Sequence, residues 1–202
     1  MEIKFTTKEY SDNKIIFLKT IIDDSYAFDY VNNTFCVFNL INNIFYLIYS
    51  NEDCSIIFYD LEANKIISEI KNAHDEYITS FRHFLDKKNK RDVIISISND
   101  NSNIKLWNVN NLELIFNFKN VYSQNKICSA CFLFDNNENY ILTSNCDSSD
   151  EHEPIKAFNF NGEKVKEIKD SNDSTNFIDV YYDNKSSKNY IITLNSEDVK
   201  SF

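Results

Sequence analysis

Glycine is almost absent from this chain, since Gly162 is the only one among 202 residues. A phosphate-cradling P-loop, a dinucleotide-binding turn and the nucleophile elbow of the serine hydrolases each need more than one glycine at fixed spacing. The composition therefore excludes these three kinds of site. It also predicts that turns use Asn and Asp, which tolerate a positive φ better than other residues with a side chain.

Positive charge and long apolar runs are also scarce. The chain has 21 Lys and Arg against 31 Asp and Glu, a formal charge of −10, which repels phosphate backbones and predicts no nucleic-acid partner. No apolar run reaches the length of a membrane-spanning helix, and the charged start "MEIKFTTKEYSDNK" lacks the apolar core of a signal peptide. With an odd number of cysteines, five, we expect a cytoplasmic or nuclear protein without a membrane partner.

Hydrophobic and aromatic residues are abundant, at 43% and 15% of the chain, which is too rich for a disordered protein. They form short runs of Ile, Val, Phe and Tyr, bounded by Asn, Asp and Ser, with no long helical period. The pattern predicts an all-β fold, and the length suits one domain spanning 1–202.

The runs recur in sets of four, as in 77–84, 92–98, 103–109 and 112–118. An aromatic residue closes the third run of each set, at spacings of 44 to 51 residues: Tyr59, Trp107, Phe158 and Phe202. Four strands at this spacing are typical of a β-propeller blade. The sequence therefore predicts a β-propeller-like fold of about three and a half to four blades.

The predicted blades span 33–72, 73–119, 120–169 and, without a fourth strand, 170–202. We expect "KIIFLKT" at 14–20, within the N-terminal segment 1–32, to supply that missing strand, because it resembles "LELIFNF" in character. The alternative is an incomplete propeller that needs another chain or missing sequence to close, because closed rings usually have about 4–8 blades.

The stretch "AHDEYITSF", together with "DVIISISNDNSNIKLWN", resembles a WD repeat, with Ala73-His74 where Gly-His usually stands and Trp107-Asn108 where Trp-Asp stands. In that family a His, a strand Ser or Thr, a turn Asp and a strand Trp form a hydrogen-bonded set that pins each blade. The resemblance implies this blade-pinning role for His74, Ser96, Asp100 and Trp107, and for Asp53 and Tyr59 in the first copy.

Two departures accompany the resemblance. Asp100 matches the turn Asp only if the turn is one residue longer than usual, and otherwise Asn101 takes that place. The third and fourth copies have Phe158 and Phe202 for Trp and lack the histidine, so we expect apolar packing to hold those blades.

Candidates for chemistry are few. His83 has no nucleophile near it in sequence, and His74 matches the pinning position, so we expect no catalytic residue, no cofactor and no enzyme activity. The segment 81–84 does not reproduce the paired-arginine motif of phosphoinositide-binding propellers.

The C-x-x-C pair Cys128 and Cys131 would be half of a zinc site with Cys146 and His152. Strand residues three apart point to opposite faces, however, so we expect the thiols to be small core hydrophobes.

The segment 146–154 is rich in carboxylates but lacks the spacing and mid-loop glycine of an EF-hand calcium loop. We expect it at the opposite end of the blades from the basic loop at 86–91. The chain is thus expected to be a non-catalytic WD-repeat scaffold for other proteins, with a small-ligand or metal-binding propeller as the alternative. The partners are expected to have basic surfaces and to bind Asp147, Asp150, Glu151, Glu153, Asp75 and Glu76.

Overall fold

The protein is described by a computed structural model. It covers residues 3–11, 14–23, 35–39, 45–98, 103–122, 126–146, 153–169, 175–194 and 199–201. These residues form strands and turns and no helix, which confirms the all-β prediction. The strands are β1 (Ile3–Ser11), β2 (Lys14–Asp23), β3 (Phe35–Asn39), β4 (Phe45–Ser50), β5 (Ile56–Asp60), β6 (Lys65–Ile70), β7 (Ile78–Asp86), β8 (Arg91–Ser98), β9 (Ile104–Asn108), β10 (Glu113–Phe118), β11 (Lys126–Asp135), β12 (Glu138–Cys146), β13 (Ile155–Asn159), β14 (Lys164–Ile168), β15 (Phe177–Asp183), β16 (Lys188–Leu194) and β17 (Val199–Ser201).

Four antiparallel sheets follow one another along the chain and form the blades. Blade 1 is β3 to β6, blade 2 is β7 to β10 and blade 3 is β11 to β14, whereas blade 4 has three strands, β15 to β17. Consecutive blades contact each other through their first strands, as expected for the inner strands of a propeller. The prediction of a β-propeller-like fold with three and a half to four blades is therefore confirmed.

We name the strands of each blade a to d in chain order. Because neighbouring strands are antiparallel, the a–b and c–d turns lie at one end of a blade, here called the a–b end. The b–c turns and the links between blades lie at the other, here called the b–c end. The basic loop 86–91 is an a–b turn and the segment 146–154 joins strands b and c, so topology assigns them to opposite ends.

Asparagine holds five of the ten described positions with a positive φ, the conformation that glycine usually fills. Five asparagines have a positive φ, between 47° and 62°: Asn64, Asn72, Asn120, Asn136 and Asn137. All five lie in or beside turns that join strands or blades, as the shortage of glycine predicted. The prediction holds in part, because no described Asp has a positive φ and four other residues do: Cys54, Lys90, Leu112 and Ser187.

The aromatic residues that revealed the repeat occupy one register position. Tyr59, Trp107 and Phe158 each lie on strand c, opposite Leu47, Ile94 and Ile141 of strand b. In all three blades a bulge interrupts the c–d pairing near this aromatic residue. The equal spacing in sequence therefore reflects equal placement in the blade.

The apolar residues form cores between the blades. One joins blades 1 and 2, a second joins blades 2 and 3, and a third joins blades 3 and 4. Strand residues alternate between the two faces, so Ile94 faces blade 1 while Ile95 faces blade 3. Each complete blade thus buries both faces.

The N-terminal segment departs from the prediction. Residues 14–20 do form a strand, within β2, but they pair with β1 in a separate two-stranded sheet. The described residues supply no fourth strand to blade 4. The physical reason is loop closure: two residues separate β1 from β2, whereas pairing with β17 would close a loop of most of the chain.

Gly162 sits in the c–d turn of blade 3 with φ +84°, and a Cβ there would lie 2.0 Å from Phe116 Cζ of blade 2. Gly162→Ala is therefore expected to lower the free energy of unfolding by about 1–3 kcal/mol, through backbone strain and displacement of the Phe116 ring. Urea unfolding measures this loss.

The matched background is Phe116→Ala, which removes the ring that the new methyl group would meet. In the Phe116→Ala background, Gly162→Ala should lower the free energy of unfolding only through backbone strain, by about 1 kcal/mol. An equal cost in both backgrounds would show that the ring does not limit this position.

Candidate functional site

Blade 2 contains a buried hydrogen-bonded set that joins the link before the blade to strands b and c. His74 Nε2 lies 2.7 Å from Ser96 Oγ, and Trp107 Nε1 donates to the same oxygen at 2.9 Å. All three residues are buried, with Trp107 6% exposed. The structure thus brings His74, Ser96 and Trp107 together, while Asp100 and Asn101 lie outside the described residues.

Lys105 completes this set on strand c. Its Nζ donates to the carbonyl of Ala73 at 2.6 Å and lies 6.0 Å from the centroid of the Trp107 ring. Burial, and secondly the Lys105 charge, lower the pKa of His74 to about 3. The imidazole is therefore neutral near pH 7, and no described residue offers a partner to its Nδ1.

Blade 3 has a matching set, in which a tyrosine takes the place of the histidine. The Tyr122 hydroxyl donates to the Thr143 carbonyl at 2.7 Å and lies 3.0 Å from Thr143 Oγ1. Lys156 Nζ donates to the Val121 carbonyl at 2.8 Å and lies 4.3 Å from the centroid of the Tyr122 ring. The expectation that apolar packing alone holds the third blade was wrong.

A sequence signal for this second set existed. Val121-Tyr122 follows Ala73-His74 by 48 residues, close to the spacing of the aromatic residues. The stretch Ile-Lys-Leu-Trp at 104–107 also recurs as Ile-Lys-Ala-Phe at 155–158. The missed residues were Tyr122, Thr143, Lys105 and Lys156.

The first copy is built differently. Tyr59 is buried, and its hydroxyl donates to Asn64 Oδ1 in the c–d turn. Asp53 lies exposed in the b–c turn, at the opposite end of β5. The structure therefore does not place these two residues in an arrangement like that of His74, Ser96 and Trp107.

A hydrogen-bonded histidine and aspartate lie between blades 1 and 2, with a cysteine against the histidine backbone. His83 Nε2 is 2.7 Å from Asp92 Oδ1, and the His83 ring stacks on Phe38 at 4.0 Å. The Cys36 thiol contacts the His83 backbone rather than its ring, and burial raises the pKa of Cys36 despite the opposing Arg82 charge. A thiol held in its protonated form is a poor nucleophile, so this arrangement packs two blades together.

Cys128 differs from its predicted role, because it is disulfide-bonded. The disulfide removes Cys128 from a zinc site, and it runs against the reducing compartment that we expected. Cys131 is a free thiol, 2% exposed, in the core between blades 3 and 4, where burial raises its pKa. The Cys146 side chain and His152 are outside what the structure describes.

The acidic candidates are only partly described. Asp53, Asp75 and Glu76 lie exposed in b–c turns or links at the b–c end. Glu153 instead contacts the buried Lys156, with 2.5 Å between Oε2 and Nζ, and its side chain is 22% exposed. Asp147, Asp150 and Glu151 lie outside the described residues.

At the a–b end, the basic loop is tied to blade 3. The buried carboxylate of Asp86 accepts hydrogen bonds from Asn89, from Arg91 Nε at 3.0 Å and from Asn139 of blade 3 at 2.9 Å. Burial acts to raise the pKa of Asp86, but these hydrogen bonds outweigh it and the pKa is lowered. Lys88 pairs with Glu138 at 2.7 Å on the exposed side.

Within the described ranges no three His, Cys, Asp or Glu side chains are grouped so that they could hold a metal ion. The same part of the chain has no helix long and apolar enough to span a membrane.

No protein-family model matches this chain, and no curated protein matches it. Solved structures share its fold, among them the β-propeller domain of Cps50 (Swd1) from Myceliophteria thermophila. The two are 13% identical with a TM-score of 0.64, and the match covers 84% of this chain but 52% of that chain. The chain therefore has a β-propeller-like fold and spans about half the length of that structure.

Proposed function

We propose that the protein is a non-catalytic scaffold of the WD-repeat type that binds other proteins through its turns and links. The observation that carries this proposal is the use of the buried polar side chains. His74, Ser96 and Trp107 in blade 2, and Tyr122 and Lys156 in blade 3, bond within their own blade. Exposed charges in turns and links are left for contacts with partners.

The b–c end is the proposed binding surface for a partner with basic groups. Asp53, Asp75 and Glu76 are exposed there, and Asp147, Asp150 and Glu151 belong to the segment that joins strands b and c of blade 3. Glu153 supports this surface indirectly, because it holds Lys156 in place. Opposite charges speed association and make binding sensitive to salt.

Neutralising the acidic end tests the proposal. The combined change of Asp53→Asn, Asp75→Asn and Glu76→Gln should remove basic partners from an affinity capture with native lysate at about 0.1 M salt. In the unchanged protein, the same partners should be lost progressively as salt rises toward about 1 M, because the Debye length falls from about 10 to about 3 Å.

The matched control removes three negative charges from the other end, by Glu62→Gln, Glu113→Gln and Glu163→Gln. These residues lie exposed in or beside c–d turns, at the a–b end. Each triple variant removes three negative charges, so the change in net charge is equal. If both triple variants lose the same partners equally, then net charge rather than the acidic end governs binding, and the proposed surface is wrong.

The cytoplasmic or nuclear location stays a prediction. The alternative of a propeller that another chain completes gains support from the three strands of blade 4.

A further inference from the structure

A groove of about 580 Å³ runs between blade 3 and strand β16 of blade 4. Its floor is apolar and comes from strands of both blades: Leu133, Leu142, Ala157, Val165, Ile168 and Ile191. Its rim is polar and lies mainly at the a–b end: Asp135, Tyr140, Lys166, Ser187, Lys188 and Asn189.

The same positions of the preceding blade are packed. The registers of β11 to β14 and β7 to β10 place Leu133, Leu142 and Ala157 where blade 2 has Phe84, Ile95 and Leu106. There Phe158 and Phe160 of blade 3 close the space, since Phe158 joins the core with Ile95 and Leu106 and the Phe160 ring lies 6.4 Å from that of Phe84. The groove is the corresponding space between blades 3 and 4, without such a filling from the described residues.

An open strand edge lines this space. Strand β16 pairs with β17 only from Ile192 to Leu194. The described residues supply no strand beside 188–191 on that edge. Unpaired backbone N–H and C=O groups along an edge are a template for an added strand.

Two lysines, a tyrosine hydroxyl and one carboxylate, Asp135, surround the groove, so its rim carries a net positive charge. Lys166, Lys188 and the Tyr140 hydroxyl have no hydrogen-bond or ion-pair partner among the described residues. Lys166 stands where blade 2 has the packed Phe116, because the c–d registers pair these two residues with Ala157 and Leu106. If the groove were filled by apolar side chains, as the corresponding space beside blade 2 is, the charge of Lys166 would be buried without a partner. Lys166 therefore favours an occupant that carries carboxylates.

We propose that the groove binds an extended acidic segment of a partner protein. The segment adds as a strand beside 188–191, places an apolar side chain over Leu133 and Leu142, and brings carboxylates to Lys166 and Lys188. This inference rests on the proposed scaffold function, but it concerns the end of the blades opposite the acidic surface. Two partners of opposite charge could then bind at once.

Two fluorescein-labelled hexapeptides test the charge preference on the whole chain. One alternates Glu with Phe, Val and Ile, and the other has Lys in place of each Glu. The acidic peptide should bind at least about tenfold more tightly in fluorescence anisotropy at low salt, although the protein itself carries a net charge of −10. Equal binding, stronger binding of the basic peptide, or no binding would overturn the proposal.

Charge reversal locates the peptide. Lys166→Glu with Lys188→Glu should weaken the acidic peptide by about tenfold or more. The matched control is Lys185→Glu with Lys87→Glu, which makes the same charge change in exposed a–b turn residues outside the groove. Equal weakening by both pairs would show a general effect of charge and would reject this site.

The apolar contact has its own pair of variants. Val165 is 48% exposed in the groove, and Ile67, 39% exposed, holds the corresponding strand d position in blade 1. Val165→Ser should weaken the peptide several-fold, Ile67→Ser should not, and both should keep the urea midpoint because each side chain is partly exposed. Equal effects on binding would exclude the groove.

Phe202 lies outside the described residues and follows β17 directly in sequence, so it is tested as the chain's own competitor for the groove. Peptide binding that appears only after Phe202→Ser would overturn the proposal in favour of this internal aromatic residue. If the acidic peptide does not bind the unchanged chain while the acidic b–c end still captures its partners, the groove is rejected and the proposed scaffold function stands.

Discussion

Trp107→Ala is expected to lower the free energy of unfolding by about 3–5 kcal/mol, the range for truncating a large buried aromatic side chain. Trp107 is 6% exposed and packs in the core between blades 1 and 2 with Ile94 and Phe58. The truncation leaves a cavity between two blades and removes the donor to Ser96 Oγ. Urea unfolding of the whole chain measures the loss.

Trp107→Phe separates packing from hydrogen bonding, since Phe158 holds this register position in blade 3. It keeps most of the apolar contact and loses the indole N–H, so we expect a loss of about 1–2 kcal/mol. An unchanged urea midpoint for Trp107→Ala would mean that blades 1 and 2 do not depend on this residue. Equal losses for both variants would assign the effect to the hydrogen bond alone.

The repeat could be predicted because one physical constraint recurs. Blades 1 to 3 each place a large aromatic residue on strand c, and equal c–d turns and equal links between blades keep Tyr59, Trp107 and Phe158 at similar spacing, although the a–b and b–c connections differ in length. The turns could be predicted in part, because Asn tolerates a positive φ and holds five of these positions, whereas four others carry residues that no turn rule indicates. Periodicity and turn chemistry are local, and they are therefore readable from the sequence.

The second hydrogen-bonded set was harder to predict because its chemistry changes while its geometry does not. Tyr122 replaces His74, and Thr143 replaces Ser96, yet in both blades the link residue bonds the strand b residue and the lysine donates to the carbonyl just before that link residue. A motif defined by residue type does not detect this exchange. The repeated Ile-Lys pair, which places the lysines, was the signal that remained.

Long-range pairing and charge placement depend on information that a pattern does not contain. Nothing in the alternation of 14–20 distinguishes β1 from β17 as a partner, and the shorter loop favours β1. Glu153 belongs to an acidic run, but the buried Lys156 needs a counter-charge and takes this carboxylate. The sequence therefore predicted the acidic segment but not which carboxylates stay free.

His74 is expected to make the fold sensitive to acid. Its pKa is lowered from 6.5 to about 3 in the folded chain, by burial first and by Lys105 second. Below pH 6.5 this histidine binds a proton in the unfolded chain but not in the folded chain. Its contribution to the free energy of unfolding is therefore fully present above pH 6.5 and is lost as the pH falls toward 3. At about 1.4 kcal/mol per pH unit, the loss reaches about 3 kcal/mol near pH 4.

The measurement is the difference in urea stability between the parent chain and His74→Gln, taken at intervals from pH 7.5 to pH 4. The variant loses stability at pH 7 but lacks the titrating group, so the gap between the two proteins should shrink as pH falls. Carboxylates such as Asp86, whose pKa is also lowered, act equally in both proteins and cancel from the difference.

His83→Gln is the matched control. Burial lowers the pKa of His83, but the hydrogen bond and charge of Asp92 oppose that effect. The difference in urea stability between the parent chain and His83→Gln should therefore change less with pH. A gap for His74→Gln that stays constant to pH 4 would contradict the prediction. It would mean that the protonated imidazole is accommodated, as it would be if a carboxylate such as Asp100 accepted its Nδ1 proton, because a charge-assisted hydrogen bond favours the charged ring.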